Sequence, residues 1–310
     1  MKKITAFLLC AIMLCSALFL VSCGGNNDPA PEETLKLGLG VYSTASATNA
    51  DGDANGKGSV TITAATVLVD KDGKIVKCVV DTADLTAVYT SEGKAVAATD
   101  LRTKYELGAD YGMKPKTWAD HADAFCKAAE GKTVSEVKAF VAEDGKNTDA
   151  IITAGCTIGA SDFVKAVEKA VANAKDSTAT KSSTLKLGVI TTQATKDANE
   201  DVAGSNAFTT DIFAVAVDAE GKYVAATNEE VVVSFAFDET GKTTFKAGEV
   251  KGKRELGADY GMKPKTWADH ADEFCKAIVG KKASDITADF TAAGCTIGVD
   301  AFVAVLAKIG

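Results

Sequence analysis

The chain has 310 residues, of which Asp and Glu (42) outnumber Lys and Arg (34), for a formal net charge of −8. No basic run interrupts this acidity, so nucleic acid and anionic lipid headgroups find no patch that would neutralise their phosphates. Apolar residues make up 46% of the chain, which describes a globular protein and excludes a disordered one.

Lys2 and Lys3 open a targeting segment whose apolar run, Ile4 to Val21, ends in Leu20-Val21-Ser22-Cys23. Residues 1–22 read as a secretory signal peptide; the alternative is an uncleaved membrane helix, because the run approaches spanning length. The last four residues resemble the lipobox of bacterial lipoproteins. The resemblance implies that Cys23 is acylated, with palmitate-type chains, and becomes the mature N-terminus. The expected location is extracytoplasmic, with the membrane as a partner through that lipid. Cleavage removes Lys2 and Lys3 and no acid, so the mature charge is −8 − 2 = −10. Residues 23–33, rich in Gly, Pro and Asn, form a lipidated tether. Five further cysteines remain, Cys78, Cys126, Cys156, Cys275 and Cys295. An odd number cannot all pair within one chain. Their Ala- and Val-rich surroundings suit buried thiols, the alternative being Cys126–Cys156 and Cys275–Cys295 bridges.

Three blocks then recur in one order. Thr34–Gly38 (TLKLG) returns as Thr184–Gly188, Glu106–Asp123 (ELGADYGMKPKTWADHAD) returns unchanged as Glu255–Asp272, and Ala154–Gly159 (AGCTIG) returns as Ala293–Gly298. So long a period signifies duplication of a whole domain. Domain one spans residues 34–176, residues 177–184 are a polar linker, and domain two spans 185–310. Each is expected to bury its own core and to fold alone. Divergence is uneven: 23 of 25 positions match between Lys104–Ala128 and Lys253–Ala277, against 7 of 20 between Ser59–Cys78 and Ala207–Ala226. The near-identical block is therefore the first place to look for a shared function.

Each copy begins with strands. In copy one they are Thr61–Val69, Ile75–Val80, Leu85–Tyr89 and Ala95–Ala98, with turns at Asp72-Gly73 and Glu92-Gly93. In copy two they are Phe213–Val217, Tyr223–Ala226, Val231–Phe237 and Thr243–Lys246, with turns at Glu220-Gly221 and Thr240-Gly241. Each copy ends in helices. Thr117 and Asp120 form a capping box, after which Trp118, Ala122, Phe125 and Ala129 share one face. A second helix starts near Thr133–Glu136. The last is capped by Ser161, or by Asp300 in copy two, and carries the stripe Phe163, Val164, Val167 and Val171. The fold class is α+β: two tandem antiparallel β-meanders, each followed by helices packed on one face. A ten-residue insertion in copy one, Val141–Ala150, is expected to be a surface loop.

Two segments could carry chemistry. At Gly155 and Thr157, and again at Gly294 and Thr296, a glycine turn leads into a helix, which aims amide N–H groups and the positive end of a helix dipole at one point. The alternative is a turn with a purely structural role. This turn and helix, with the upstream Asp72-Gly73-Lys74-Ile75, resemble the FMN-binding domain of membrane-anchored flavoproteins. In that family a Ser-Gly-Ala-Thr motif precedes such a helix and its threonine can carry FMN. The resemblance implies FMN as cofactor at Gly155, Thr157, Gly294 and Thr296; Ala154 and Cys156 depart from the motif. The second segment is the near-identical block, where Gly108, Gly112 and Pro115 mark a loop. Tyr111 and Met113, with Tyr260 in copy two, suit stacking on a planar ligand, and Lys114 or Lys116, with Lys263 in copy two, suit a phosphate; the alternative is an Ω-type loop that anchors Tyr111 and Met113 in the core. His121 and His270 lack a second ligand at helical spacing, so no metal site is expected. No nucleophile elbow, Walker loop, HExxH or CxxC occurs, which argues against a hydrolase or kinase. The sequence thus supports an envelope lipoprotein with two FMN-binding-like domains carrying electrons to a redox partner at the cell surface. The alternative is a flavin-free lipoprotein that binds a small ligand or a protein partner.

Overall fold

Strictly alternating side chains build the sheets. The computed structural model describes residues 32–310, so the expected signal peptide, Cys23 and most of the expected tether lie outside the described residues. Copy one runs β1 (Lys36–Thr48), β2 (Gly56–Val69), β3 (Ile75–Tyr89) and a short β4 (Ala95–Val96). It continues through α1 (Lys104–Leu107), α2 (Trp118–Ala129), α3 (Val134–Lys138), α4 (Asp149–Thr153), α5 (Ser161–Ala172) and a short β5 (Lys175–Asp176). Copy two runs β6 (Thr184–Lys196), β7 (Gly204–Val217), β8 (Tyr223–Phe237) and a short β9 (Gly248–Glu249). Then follow α6 (Lys253–Leu256), α7 (Trp267–Ile278) and α8 (Asp300–Ile309). One sheet has the order β4-β3-β2-β1-β5, with β9 also on β1; the other is β6-β7-β8. The α+β class and the paired meanders are as the sequence reads. Among the described residues no helix is long and apolar enough to cross a membrane.

Several local expectations change. β3 and β8 are single strands, where the sequence suggests two apiece. The polar residues that look like breaks are partnered within the sheet: Thr82 bonds Thr63 at 3.0 Å, and Thr61 donates to Asp84 at 2.8 Å. Thr243–Lys246 forms no strand; only the bridge Phe237–Thr243 remains of it. The capping box at Thr117 and Asp120 is present, as is its copy at Thr266 and Asp269. Ser161 and Asp300 are the first helical residues rather than caps; Ala160 and Val299 precede them and offer no side-chain acceptor. All five cysteines are free thiols. Cys126 lies against Cys78, not Cys156, and that contact together with burial pushes its thiol up.

The larger difference concerns what the two copies bury. On β2, Ala65, Val67 and Val69 face the helices of copy one, whereas Val60, Ile62, Ala64 and Leu68 point the other way. That second face packs on the equivalent face of copy two, against Phe208, Ile212, Val233 and Phe235. The molecule is therefore layered helix, sheet, sheet, helix, with one core between the sheets and one under each helical layer. The expectation of two self-sufficient cores needs correction, because half of each sheet's apolar surface is covered only by the other copy. Nor is the segment 177–184 a loose linker. Ala179 is wholly buried, the Leu35 amide donates to its carbonyl at 2.7 Å, and Ser177 Oγ donates to Leu35 O at 2.6 Å.

The pairing obeys a pseudo-two-fold axis, as an isologous dimer would. Ala50 N donates to Gly241 O at 2.9 Å, and Ala198 N donates to Gly93 O at 2.8 Å. Lys169 pairs with Glu255 at 2.9 Å, and Lys308 with Glu106 at 2.8 Å. Tyr89 stacks on its own counterpart Phe237, with ring centroids 4.7 Å apart. Strand register also revises the alignment of the copies. The TLKLG blocks start at Thr34 and Thr184, an offset of 150, yet Gly40 pairs with Ala65 as Gly188 pairs with Phe213, an offset of 148. A slip of two residues leaves every side chain on the same face, so the motif survives while its position shifts.

Candidate functional site

Both segments singled out in the sequence meet in copy one. A pocket of about 200 Å3 is lined by Tyr111 and Met113 from the near-identical block, by Ile158 and Gly159 from the glycine turn, and by Trp118 and Phe163 from α2 and α5. Its floor is the sheet, at Thr61, Thr63 and Thr82, and Lys104 enters from α1. The block places these groups through two capped starts: Thr103 with Glu106 fixes α1, and Thr117 with Asp120 fixes α2. The Lys104 ammonium lies 5.3 Å from the Tyr111 ring centre and 6.0 Å from that of Trp118. It pairs with Asp84 at 2.6 Å. Burial works against its charge, but Asp84 more than offsets this, and the ammonium titrates above the ordinary lysine range. The first turn of α5 opens here without a side-chain cap, so its dipole adds to Lys104 in favouring an anion. Asp162 sits on the rim and limits how much negative charge fits.

The other predicted site residues fall differently. Gly155 and Gly294 hold φ of +110° and +86°, a conformation that glycine adopts without strain. Thr157 and Thr296 are exposed beside the turn, Thr157 one residue outside the pocket wall. Lys114 and Lys263 are exposed and each precedes a cis proline; the lysine that reaches the pocket is Lys104. His121, which showed no metal spacing, clasps the turn instead, its Nδ1 lying 3.0 Å from Gly155 O and 3.3 Å from Thr157 N. His270 repeats this at 3.2 Å from Gly294 O. Among the described residues no group of three metal-ligating side chains exists. The insertion in copy one is also more than a surface loop. Asn147 donates to Ile158 O at 2.7 Å and to Cys156 O at 3.2 Å, and it accepts from Ala160 N at 2.9 Å. Copy two has no such residue, and its Cys295 is half-buried where Cys156 is buried.

Copy two keeps the walls and changes the floor. Lys253 lies 4.9 Å from the centre of Tyr260 and 5.9 Å from that of Trp267. Where copy one has Thr63 and Thr82, the matching register positions hold Asp211 and Glu230. Lys253 pairs with Glu230. Asp211 is 2% exposed and its Oδ1 has no partner among the described residues. Burial, reinforced by Glu230 and opposed by Lys253, raises its carboxyl to about 7. The consequence for stability has a definite sign. Between its ordinary value near 4 and about 7, the folded chain holds this proton and the unfolded chain does not. The contribution is therefore greatest below pH ~4 and is lost as pH rises to ~7, at no more than about 1.4 kcal/mol per pH unit. Asp211→Thr, which installs the residue of copy one, is expected to stabilise the chain by about 2 kcal/mol at pH ~8 and to change little at pH ~4. Urea melts at the two pH values measure this; equal effects at both would show that Asp211 is ionised throughout.

The 200 Å3 of the copy-one pocket lies below the roughly 300–1,000 Å3 that encloses cofactor-sized ligands. That volume has room for a phosphate-sized group but does not enclose a flavin ring. No protein-family model, curated protein or solved structure matches this chain.

Proposed function

We propose that this is an extracytoplasmic lipoprotein, held to the membrane through Cys23, that binds a phosphate-bearing small ligand through the copy-one pocket. One observation carries the reading. The block that differs least between the copies and the glycine turn before α5 converge on one cavity, with a lysine framed by two aromatic rings. Lys104 would supply charge, Thr63 and Thr82 hydroxyls, and α5 its dipole. FMN is one source of such a phosphate, its ring outside the pocket beside Tyr111; electron carriage at the cell surface would then belong to the flavin. Free phosphate or another phosphate ester is the other source. The chemistry of the ligand is shared; the carrier differs.

The test uses the chain from Gly24 onward, free of lipid, in calorimetric titrations with inorganic phosphate and with FMN. Binding of either that weakens at least tenfold (about 1.4 kcal/mol) on Lys104→Met is the expected result. FMN competing with phosphate identifies the flavin, and intact mass on the full-length protein from its exporting host shows whether Thr157 or Thr296 carries it covalently. No binding of either probe removes the reading. The anchor is tested separately in that host: labelled palmitate should enter the wild type and not Cys23→Ala, and equal labelling would remove the lipid claim.

A further inference from the structure

A second cavity lies on the seam between the copies, and it shares no lining residue with the Lys104 pocket. Its volume is about 520 Å3, within the range of small-molecule sites. Leu39 and Val41 from β1 give it an apolar floor, while Arg254, Asn228, Lys169 and Lys175 converge on it from both copies.

Counting hydrogen bonds shows which chemistry is left over. A guanidinium has five N–H donors, and Arg254 uses three of them. Nε donates to Asn228 O at 2.8 Å, Nη2 to Asn228 Oδ1 at 3.0 Å and Nη1 to Asp272 Oδ1 at 2.7 Å. Lys169 donates to Glu249 at 2.8 Å and Glu255 at 2.9 Å, leaving one ammonium hydrogen. Among the described residues Lys175 reaches only Asp272, at 3.3 Å. Asn228 is wholly buried, and its Nδ2 has no partner among the described residues. The two carboxylates of the wall are already engaged: Glu229 accepts from the Arg254 amide at 2.8 Å and Glu255 from Lys169. The cavity therefore has donors to spare and no idle carboxylate.

The polar groups are not demanded by the fold. Tyr105 stands at the position of Arg254 in copy one, one of only two differences in the 25-residue block. Val80 stands at the position of Asn228 by strand register. The other copy builds the same strand and helix with Tyr105 and Val80 in these places, so the scaffold does not require an arginine or a buried carboxamide here. Such groups cost free energy to desolvate.

We infer that the seam cavity is a binding site for a small organic acid, its carboxylate taken by Arg254 and neighbouring donors and its apolar body lying on Leu39 and Val41. Arginine matches a carboxylate with two parallel hydrogen bonds. Asp272 and Glu249, just outside the wall, hold Arg254, Lys175 and Lys169 in place and restrict the site to a single negative charge.

The probes are indole-3-acetate and its neutral analogue indole-3-ethanol, titrated calorimetrically into the chain from Gly24 onward. The acid should bind at least tenfold more tightly than the alcohol. Arg254→Tyr, which installs the residue of copy one, should abolish that preference, and Asn228→Val should reduce it, while Lys104→Met leaves it unchanged. This last control separates the seam site from the phosphate pocket, so either can fail alone. Equal binding of acid and alcohol, no binding of the acid at roughly millimolar concentration, or wild-type preference in Arg254→Tyr would overturn the inference. Thermal melts verify folding; should Arg254→Tyr not fold, Asn228→Val decides, an unchanged preference overturning it.

Discussion

Cutting the chain in the exposed turn at Lys181-Ser182 is expected to leave two fragments, 32–181 and 182–310, neither of which is a folded monomer. Each has a helical layer on one face of its sheet. The other face, carrying Leu37, Val60, Ile62 and Leu85 in one copy and Phe208, Ile212, Val233 and Phe235 in the other, would meet water. Exposed apolar patches on monomers rarely exceed roughly 300–600 Å2, and a bare three-stranded face surpasses that. With native stability of only about 5–15 kcal/mol, loss of the shared core removes most of it. Single fragments should aggregate, melt without cooperativity or pair with themselves. An equimolar mixture should recover one sharp transition and a 1:1 complex by gel filtration and light scattering. Two monomeric fragments with cooperative melts of their own would show that the intersheet core is dispensable.

A comparable loss is expected at a single glycine. Helix α5 crosses β1 so closely that a Cβ on Gly40 would overlap Ala166 O and Ala170 N, both backbone atoms. Backbone inside a helix cannot step aside without moving the whole element. At the equivalent Gly188 the nearest atoms are side-chain methyls, Val305 Cγ1 at 2.7 Å and Ile309 Cγ2 at 2.8 Å, which a change of rotamer relieves. Gly40→Ala should therefore cost about 3 kcal/mol and Gly188→Ala about 1 kcal/mol, the upper and lower parts of the range for overpacked cores. Chemical melts of the two variants test the ratio. Equal costs would mean that α5 slides on its sheet as freely as α8.

What the sequence determined by itself was local or internal to a repeat. Turn positions at Asp72-Gly73 and Glu92-Gly93, the capping boxes at Thr117 and Thr266, and the faces of α2 and α5 follow from backbone preferences that act over a few residues. The duplication was legible because it compares the chain with itself. Tertiary structure alone decided the rest. Alternation along β1 and β2 says that one face is apolar, but not whether a helix or another sheet covers it, since that depends on residues some 150 positions away. Thr82 and Asp84 look like a break until their partners Thr63 and Thr61 arrive from β2. The sequence points to Lys114 rather than Lys104, because proximity in sequence to Tyr111 is no measure of which ammonium α1 places over the ring. His121 and Asn147 gave no sign that both hold the turn before α5, and no pattern in either copy marks the seam where Arg254 and Lys169 converge. A polar side chain can bond to many partners equally well, and only the packing of the two copies selects which one it meets.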